Sequence, residues 1–141
     1  MLRHSLLAAG FALAFAGSAS AATVKFHATL SPASEVPPSK STGSGEAAAT
    51  LDTATHELTY DVTFSGFSSD VTAAHIHGPA EAGKNAGVVL PLGTAPKSPI
   101  HGSAKLTAEQ EQQLTAGMMY VNIHSKNNPS GAVRGQLLEV K

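Results

Sequence analysis

Glu57-Leu58-Thr59-Tyr60-Asp61-Val62-Thr63-Phe64-Ser65 sets apolar against polar residues with a period of two. On an extended strand Leu58, Tyr60, Val62 and Phe64 share one face, while Thr59, Asp61 and Thr63 share the other, as in a sheet with one side buried. Upstream, residues 45–52 carry a second run of this kind and predict a hairpin with 57–65. Further upstream, the alternation over 23–30 reads as a first strand, and the Pro- and Ser-rich stretch 31–43 as a loop. Downstream, residues 71–77 form a strand ended by Gly78-Pro79, a turn over 83–87 leads into Val88-Val89-Leu90, and 100–106 is a weaker strand. Thr107-Ala108-Glu109-Gln110 has the form of a capping box, which predicts a short helix over 108–116 stopped by Gly117. Strands over 118–124 and 132–140, joined by a turn over 127–131, complete the set. About eight short strands separated by turn signals predict an all-β chain, an antiparallel β-sandwich or Greek-key arrangement with one short helix.

The N-terminus is different. A short basic start at Arg3-His4, an apolar run over 6–17 and the small residues Ala19-Ser20-Ala21 read as a signal peptide, residues 1–21, cleaved after Ala21. The apolar run falls short of the ~20 residues that a spanning helix needs. The expected destination is therefore periplasmic or secreted, with no membrane insertion after cleavage. Residues 22–141 form one domain, large enough to bury roughly two-thirds of its unfolded surface. The chain has no cysteine, so thiol catalysis, thiolate metal sites and acylation as a lipoprotein are excluded, and an exported fold must stand on its core. Nine Lys and Arg balance ten Asp and Glu without clustering, which offers no basic stripe for nucleic acid.

The chemistry is concentrated in two places. Ala74-His75-Ile76-His77-Gly78-Pro79 puts two imidazoles on one face of a strand, and Tyr120-Val121-Asn122-Ile123-His124 does the same for Tyr120, Asn122 and His124. If the two strands are neighbours, His75, His77 and His124 converge on a three-nitrogen site suited to Cu or Zn, with a coordination position left for water or a ligand. The same histidines also read as hydrogen-bonded members of a polar seam that orients the loop after Gly78. Arg134 shares a face with Gln136; it can pair with a carboxylate such as Glu35 or Asp61, or offer its planar fork to an anion. Gly131 and Gly135 read as turn and close-approach residues. His27, His56 and His101 have no partner at ligand spacing. No Gly-x-Ser-x-Gly elbow supports serine hydrolysis, and the absence of tryptophan leaves little with which to stack a sugar.

Taken in order, Leu30-Ser31-Pro32-Ala33-Ser34-Glu35-Val36-Pro37-Pro38, residues 43–51, Leu58-Thr59-Tyr60-Asp61-Val62, His75-Ile76-His77-Gly78-Pro79-Ala80, Gly87-Val88-Val89, Tyr120-Val121-Asn122-Ile123-His124 and Gly131-Ala132-Val133-Arg134-Gly135-Gln136 resemble the CHRD domain. That module is named after the extracellular developmental protein chordin and occurs as a single copy in many secreted bacterial proteins. The resemblance implies a secreted domain and places Glu35 as an outer partner of the histidines. A second similarity, in outline, is to copper/zinc superoxide dismutases: a secreted sandwich with His-x-His on one strand and Gly131-x-x-Arg134-Gly135 near the end. Here the fourth copper histidine and the zinc loop have no counterpart between Gly78 and Gly87, and the stabilising disulfide cannot form. The expected fold is thus immunoglobulin-like or superoxide-dismutase-like. The expected function is a non-catalytic binding or structural module for an extracytoplasmic ligand or protein, centred on His75, His77, Asn122, His124, Arg134 and Glu35. Metal binding through the three histidines is the alternative, and a dismutase-like redox enzyme stands behind it.

Overall fold

The computed structural model describes Gly17 and residues 21–141. The signal peptide expected over residues 1–21 lies, apart from Gly17 and Ala21, outside the described residues. The chain runs β1 (Thr23–Leu30), β2 (Ser44–Asp52), β3 (Glu57–Ser65), β4 (Val71–His77), β5 (Val88–Thr94), β6 (Ile100–Lys105), α1 (Ala108–Thr115), β7 (Tyr120–Ser125), β8 (Asn128–Gln136) and β9 (Leu138–Glu139). Five strands in the order β6-β3-β2-β1-β9 form one antiparallel sheet, and four in the order β5-β4-β7-β8 form the other. The two sheets pack as the all-β sandwich expected. No helix among the described residues is long and apolar enough to cross a membrane.

The predicted hairpin is continuous from Ser44 opposite Ser65 to Asp52 opposite Glu57. Its turn is tied by Asp52, whose carboxylate accepts from the Ala54 and Thr55 amides at 2.9 and 3.1 Å. Alternate residues of both sheets meet in one core: Leu58 and Val62 from β3, Phe26 and Leu30 from β1, Ile76 from β4 and Ile123 from β7 are buried together. The helix ends as its sequence dictates. Thr107 and Gln110 make the reciprocal capping box, while Gly117, at φ 73°, and Met118 donate back to Leu114 and Gln113 in a Schellman turn.

Three boundaries differ from expectation. β5 continues through Pro91 to Thr94, which the sheet tolerates because β5 is an edge strand. The turn expected over 127–131 narrows to Lys126 and Asn127, and β8 begins at Asn128. The strand expected over 132–140 divides: β8 stops at Gln136, fully buried Leu137 passes between the sheets, and Leu138–Glu139 pairs with β1 in the other one. A second link between the sheets is the reciprocal pair of backbone hydrogen bonds between Ser31 and Arg134, at 3.0 and 3.1 Å. Gly135 makes this approach feasible, because a Cβ there would run into the carbonyl of Thr29.

Candidate functional site

β4 and β7 are neighbours. Their antiparallel register sets His75 opposite Asn122 and His77 opposite Tyr120, while β7 against β8 sets Asn122 opposite Arg134 and Tyr120 opposite Gln136. Since Ala74, Ile76, Val121 and Ile123 point into the core, the alternation sends His75, His77, Tyr120, Asn122 and His124 to the outer side of the sheet. Part of that side is closed to solvent, and the three histidines on it are half-buried. The segments 31–43 and 78–87 lie across it, so that Tyr120, Asn122 and Arg134 are only 3, 4 and 1% exposed. The two segments are joined to each other by Asn85 Nδ2, which donates to the Val36 carbonyl at 2.8 Å. They are joined to the sheet by Ser39 Oγ donating to the Ala132 carbonyl and Gln136 Nε2 donating to that of Ala80.

Under this cover the three histidines converge. One ring nitrogen from each of His75, His77 and His124 lies within 4.8 Å of the other two. Their protonation follows from their partners. His77 Nδ1 stands 2.9 Å from the Ala86 carbonyl and His124 Nδ1 2.9 Å from that of Pro129. A carbonyl can only accept, so both Nδ1 atoms carry the proton and both Nε2 atoms present a lone pair. His124 Nε2 meets His75 Nδ1 at 3.1 Å, and without an ion His75 donates to it. His77 Nε2 has nothing: it is the one buried side-chain nitrogen or oxygen among the described residues without a hydrogen-bond partner. Three imidazole nitrogens around a tetrahedral ion lie ~3.3 Å apart for bonds of ~2.0–2.1 Å. The His75–His124 pair already has that spacing, and His77 must close by no more than about 1.5 Å.

The electrostatics favour neutral rings. Burial, then the neighbouring His124 and His77, hold His75 below the usual imidazole value. His77 is also held down, first by burial and then by His124 and Arg134, although the Ala86 carbonyl pulls the other way. Neutral imidazole is the form that binds metal.

The remaining predicted residues form a second group beside the first. Glu35 does not reach the imidazoles; its carboxyl accepts from Asn122 Nδ2, which also donates to the Val133 carbonyl at 3.0 Å. The outer partners of the histidines are instead two backbone carbonyls. Glu35 can sit against β8 because Gly131, at φ 141°, has no Cβ; one added there would stand 2.5 Å from Glu35 Oε2. Burial pushes the Glu35 carboxyl up to about 7, against the opposing pull of Asn122 and Arg134. Arg134 makes neither of the expected ion pairs. Asp61 is on the other sheet with His101, and the Arg134 guanidinium donates to Asn85 Oδ1, the Glu81 carbonyl and Gln136 Oε1 at 3.1, 3.2 and 2.9 Å.

Tyr120 was legible on the shared face but not as a participant. Its ring lies parallel to His77 at 5.0 Å between centroids, has the Arg134 guanidinium 3.5 Å from its centre, and shares the Ala86 peptide with His77 through its hydroxyl. The period-two signal that picked out Asn122 and His124 would have found it. Asn85, Ala86 and Pro129 left no signal, since their roles depend on where a loop lies and on backbone atoms. His27, His56 and His101 each bind one carboxylate, Glu46, Glu111 and Asp61 respectively, away from the trio.

Residues 26–137, most of the chain, match the family model of the CHRD domain. No curated protein and no solved structure matches the chain.

Proposed function

The chain belongs to the CHRD domain family, and from that premise we propose that this member is a metal-binding module that holds one Cu(II) or Zn(II) ion through His75, His77 and His124. The observation that carries the proposal is the unpartnered Nε2 of His77, buried and adjacent to two further imidazoles. A buried polar atom left without a partner costs ~1–3 kcal/mol, which metal coordination would recover. The support behind the ligands is of the usual kind for a histidine site: Nδ1–H groups donating to the carbonyls of Ala86 and Pro129 fix both tautomers and leave both Nε2 lone pairs free to ligate. An all-nitrogen set with no thiolate follows the general order of affinities, in which Cu(II) exceeds Zn(II). The proposed role is binding of the ion rather than catalysis on it. The leader-like residues 1–21 support a periplasmic or secreted setting.

Calorimetric titration of metal-stripped protein tests this. One equivalent of Cu(II) should bind more tightly than Zn(II), and His75→Ala or His124→Ala should weaken Cu(II) by at least ~100-fold while circular dichroism shows the fold retained. The absence of heat with both ions, together with an unchanged melting temperature in their presence, would return the trio to a purely architectural seam.

A further inference from the structure

A cleft of about 450 Å³ opens between the two covering segments, lined by Ala33, Glu35 and Val36 on one side and Ala82 on the other, with Arg134 and Gln136 at its floor. Its volume falls in the range of small-molecule sites. We propose that this cleft binds a small organic acid, a carboxylate with a short apolar body, whose negative charge is met by Arg134.

Arg134 is buried away from water. It is 1% exposed, yet its three hydrogen-bond acceptors are all neutral: a side-chain amide oxygen from each of Asn85 and Gln136, and the backbone carbonyl of Glu81. The stacked Tyr120 ring is neutral as well. The Glu81 carboxylate does not turn inward but pairs with Lys84 at 2.9 Å on the surface. Among the described residues no carboxylate lies within 4.0 Å of the guanidinium. A charge taken out of water is normally matched by an opposite one in direct contact; here the nearest acid, Glu35, acts on Arg134 without an ion-pair contact.

The cleft supplies the rest. Three of the five guanidinium N–H groups are committed to the acceptors above, which leaves donors for a further oxygen. Glu35, the acid on the wall, need not repel an anion. With burial lifting its carboxyl to about 7, below that pH it offers a hydrogen bond instead of a charge. Ala33, Val36 and Ala82 make the walls apolar, which suits a hydrocarbon body better than a bare oxyanion. None of these groups is a histidine of the proposed metal site, so the two proposals stand or fall separately.

The test is an amide NMR titration of metal-stripped protein with hexanoate, its neutral analogue hexanamide, and inorganic phosphate. Hexanoate should give saturable shifts at residues lining the cleft, with hexanamide and phosphate each weaker by at least about tenfold. Arg134→Gln should abolish the binding. Because Arg134 is buried and its replacement can unfold the chain, Ala33→Phe, at an exposed position on the cleft wall, provides a second probe that fills the cleft without touching the core. It should weaken hexanoate by about tenfold or more with the spectrum otherwise preserved. Failure of hexanoate to saturate below ~10 mM overturns the proposal. So does equal binding of hexanamide or phosphate, or unchanged binding by Ala33→Phe.

Discussion

The two sheets of this sandwich share a core but differ completely on their outer faces. Outside β6-β3-β2-β1-β9 the polar half of each strand meets water, and the histidines there, His27 and His101, are about half exposed or more and each is satisfied by a single carboxylate. Outside β5-β4-β7-β8 the same alternation delivers polar side chains to a surface that two loops partly cover, and the histidines there bond to one another and to backbone carbonyls. The strand pattern is common to both. What gives an imidazole its chemistry here is its surroundings: the covering layer shields it in part from water and fixes the His77 tautomer through Ala86, while β8 fixes that of His124 through Pro129.

The largest effect should come from breaking that cover at its hinge. Gly135 allows β8 to pass beneath the carbonyl of Thr29, beside the Ser31–Arg134 pairing that starts the first covering segment on its path. Gly135→Val places a branched side chain where even a Cβ does not fit, and should cost ~3 kcal/mol or more by overpacking. Chemical denaturation should show a lower midpoint, and the same variant should lose Cu(II) affinity as the loops part. A stable Gly135→Val protein with its metal site intact would mean that the cover is held by other contacts.

A smaller effect separates the two buried acid–base systems of the covered face in metal-free protein. His75 and His77 are held below 6.5, so as pH falls from 6.5 the denatured chain takes up protons first, and stability declines until the folded histidines charge as well. Glu35 is raised from 4.5 to about 7, so as pH rises from 4.5 the denatured chain loses its proton first, and stability declines until about 7. The slopes oppose each other over an overlapping range. Glu35→Gln should leave stability rising with pH toward 6.5, whereas His75→Asn with His77→Asn should leave it falling between 4.5 and 7. Urea midpoints across that range decide the matter; parallel trends in the two variants would show a face as wet as its exposed counterpart.

The sequence makes the exposed sheet easier to read than the covered one, for a physical reason. The alternation of Leu58, Tyr60, Val62 and Phe64 needs only local geometry, and so does the capping box at Thr107 and Gln110; both appear as read. The shared faces of His75 with His77, and of Asn122 with His124, are equally local. That β4 lies beside β7 is not local, and neither is the folding of residues 31–43 over both. These depend on a backbone pair between Ser31 and Arg134 and on the missing side chains of Gly131 and Gly135, contacts that span about a hundred residues of chain. Glu35 was drawn toward the histidines by resemblance; its true partner, Asn122, sits one strand position away in the same row as His75. Arg134 was expected to pair with a carboxylate or to meet an anion, and nothing in the spacing of residues announces a pocket of neutral acceptors.

The smallest predicted effect is the sharpest control on the comparison. His27 lies 2.7 Å from Glu46, and His101 touches Asp61, in pairs whose side chains are all at least half exposed. In that setting the Coulomb attraction is screened, and the entropy of holding two mobile side chains offsets most of what remains. His27→Ala and His101→Ala should therefore each change stability by less than ~0.5 kcal/mol. Both should leave the Cu(II) titration untouched, although they remove the same functional group as His75→Ala. Loss of tight copper binding in either exposed variant would place the ion on the open sheet, and the covered trio would lose its claim to it. An unchanged titration in both, beside its loss in His75→Ala, would show that identical side chains on similarly patterned strands are divided into ligand and bystander by their surroundings.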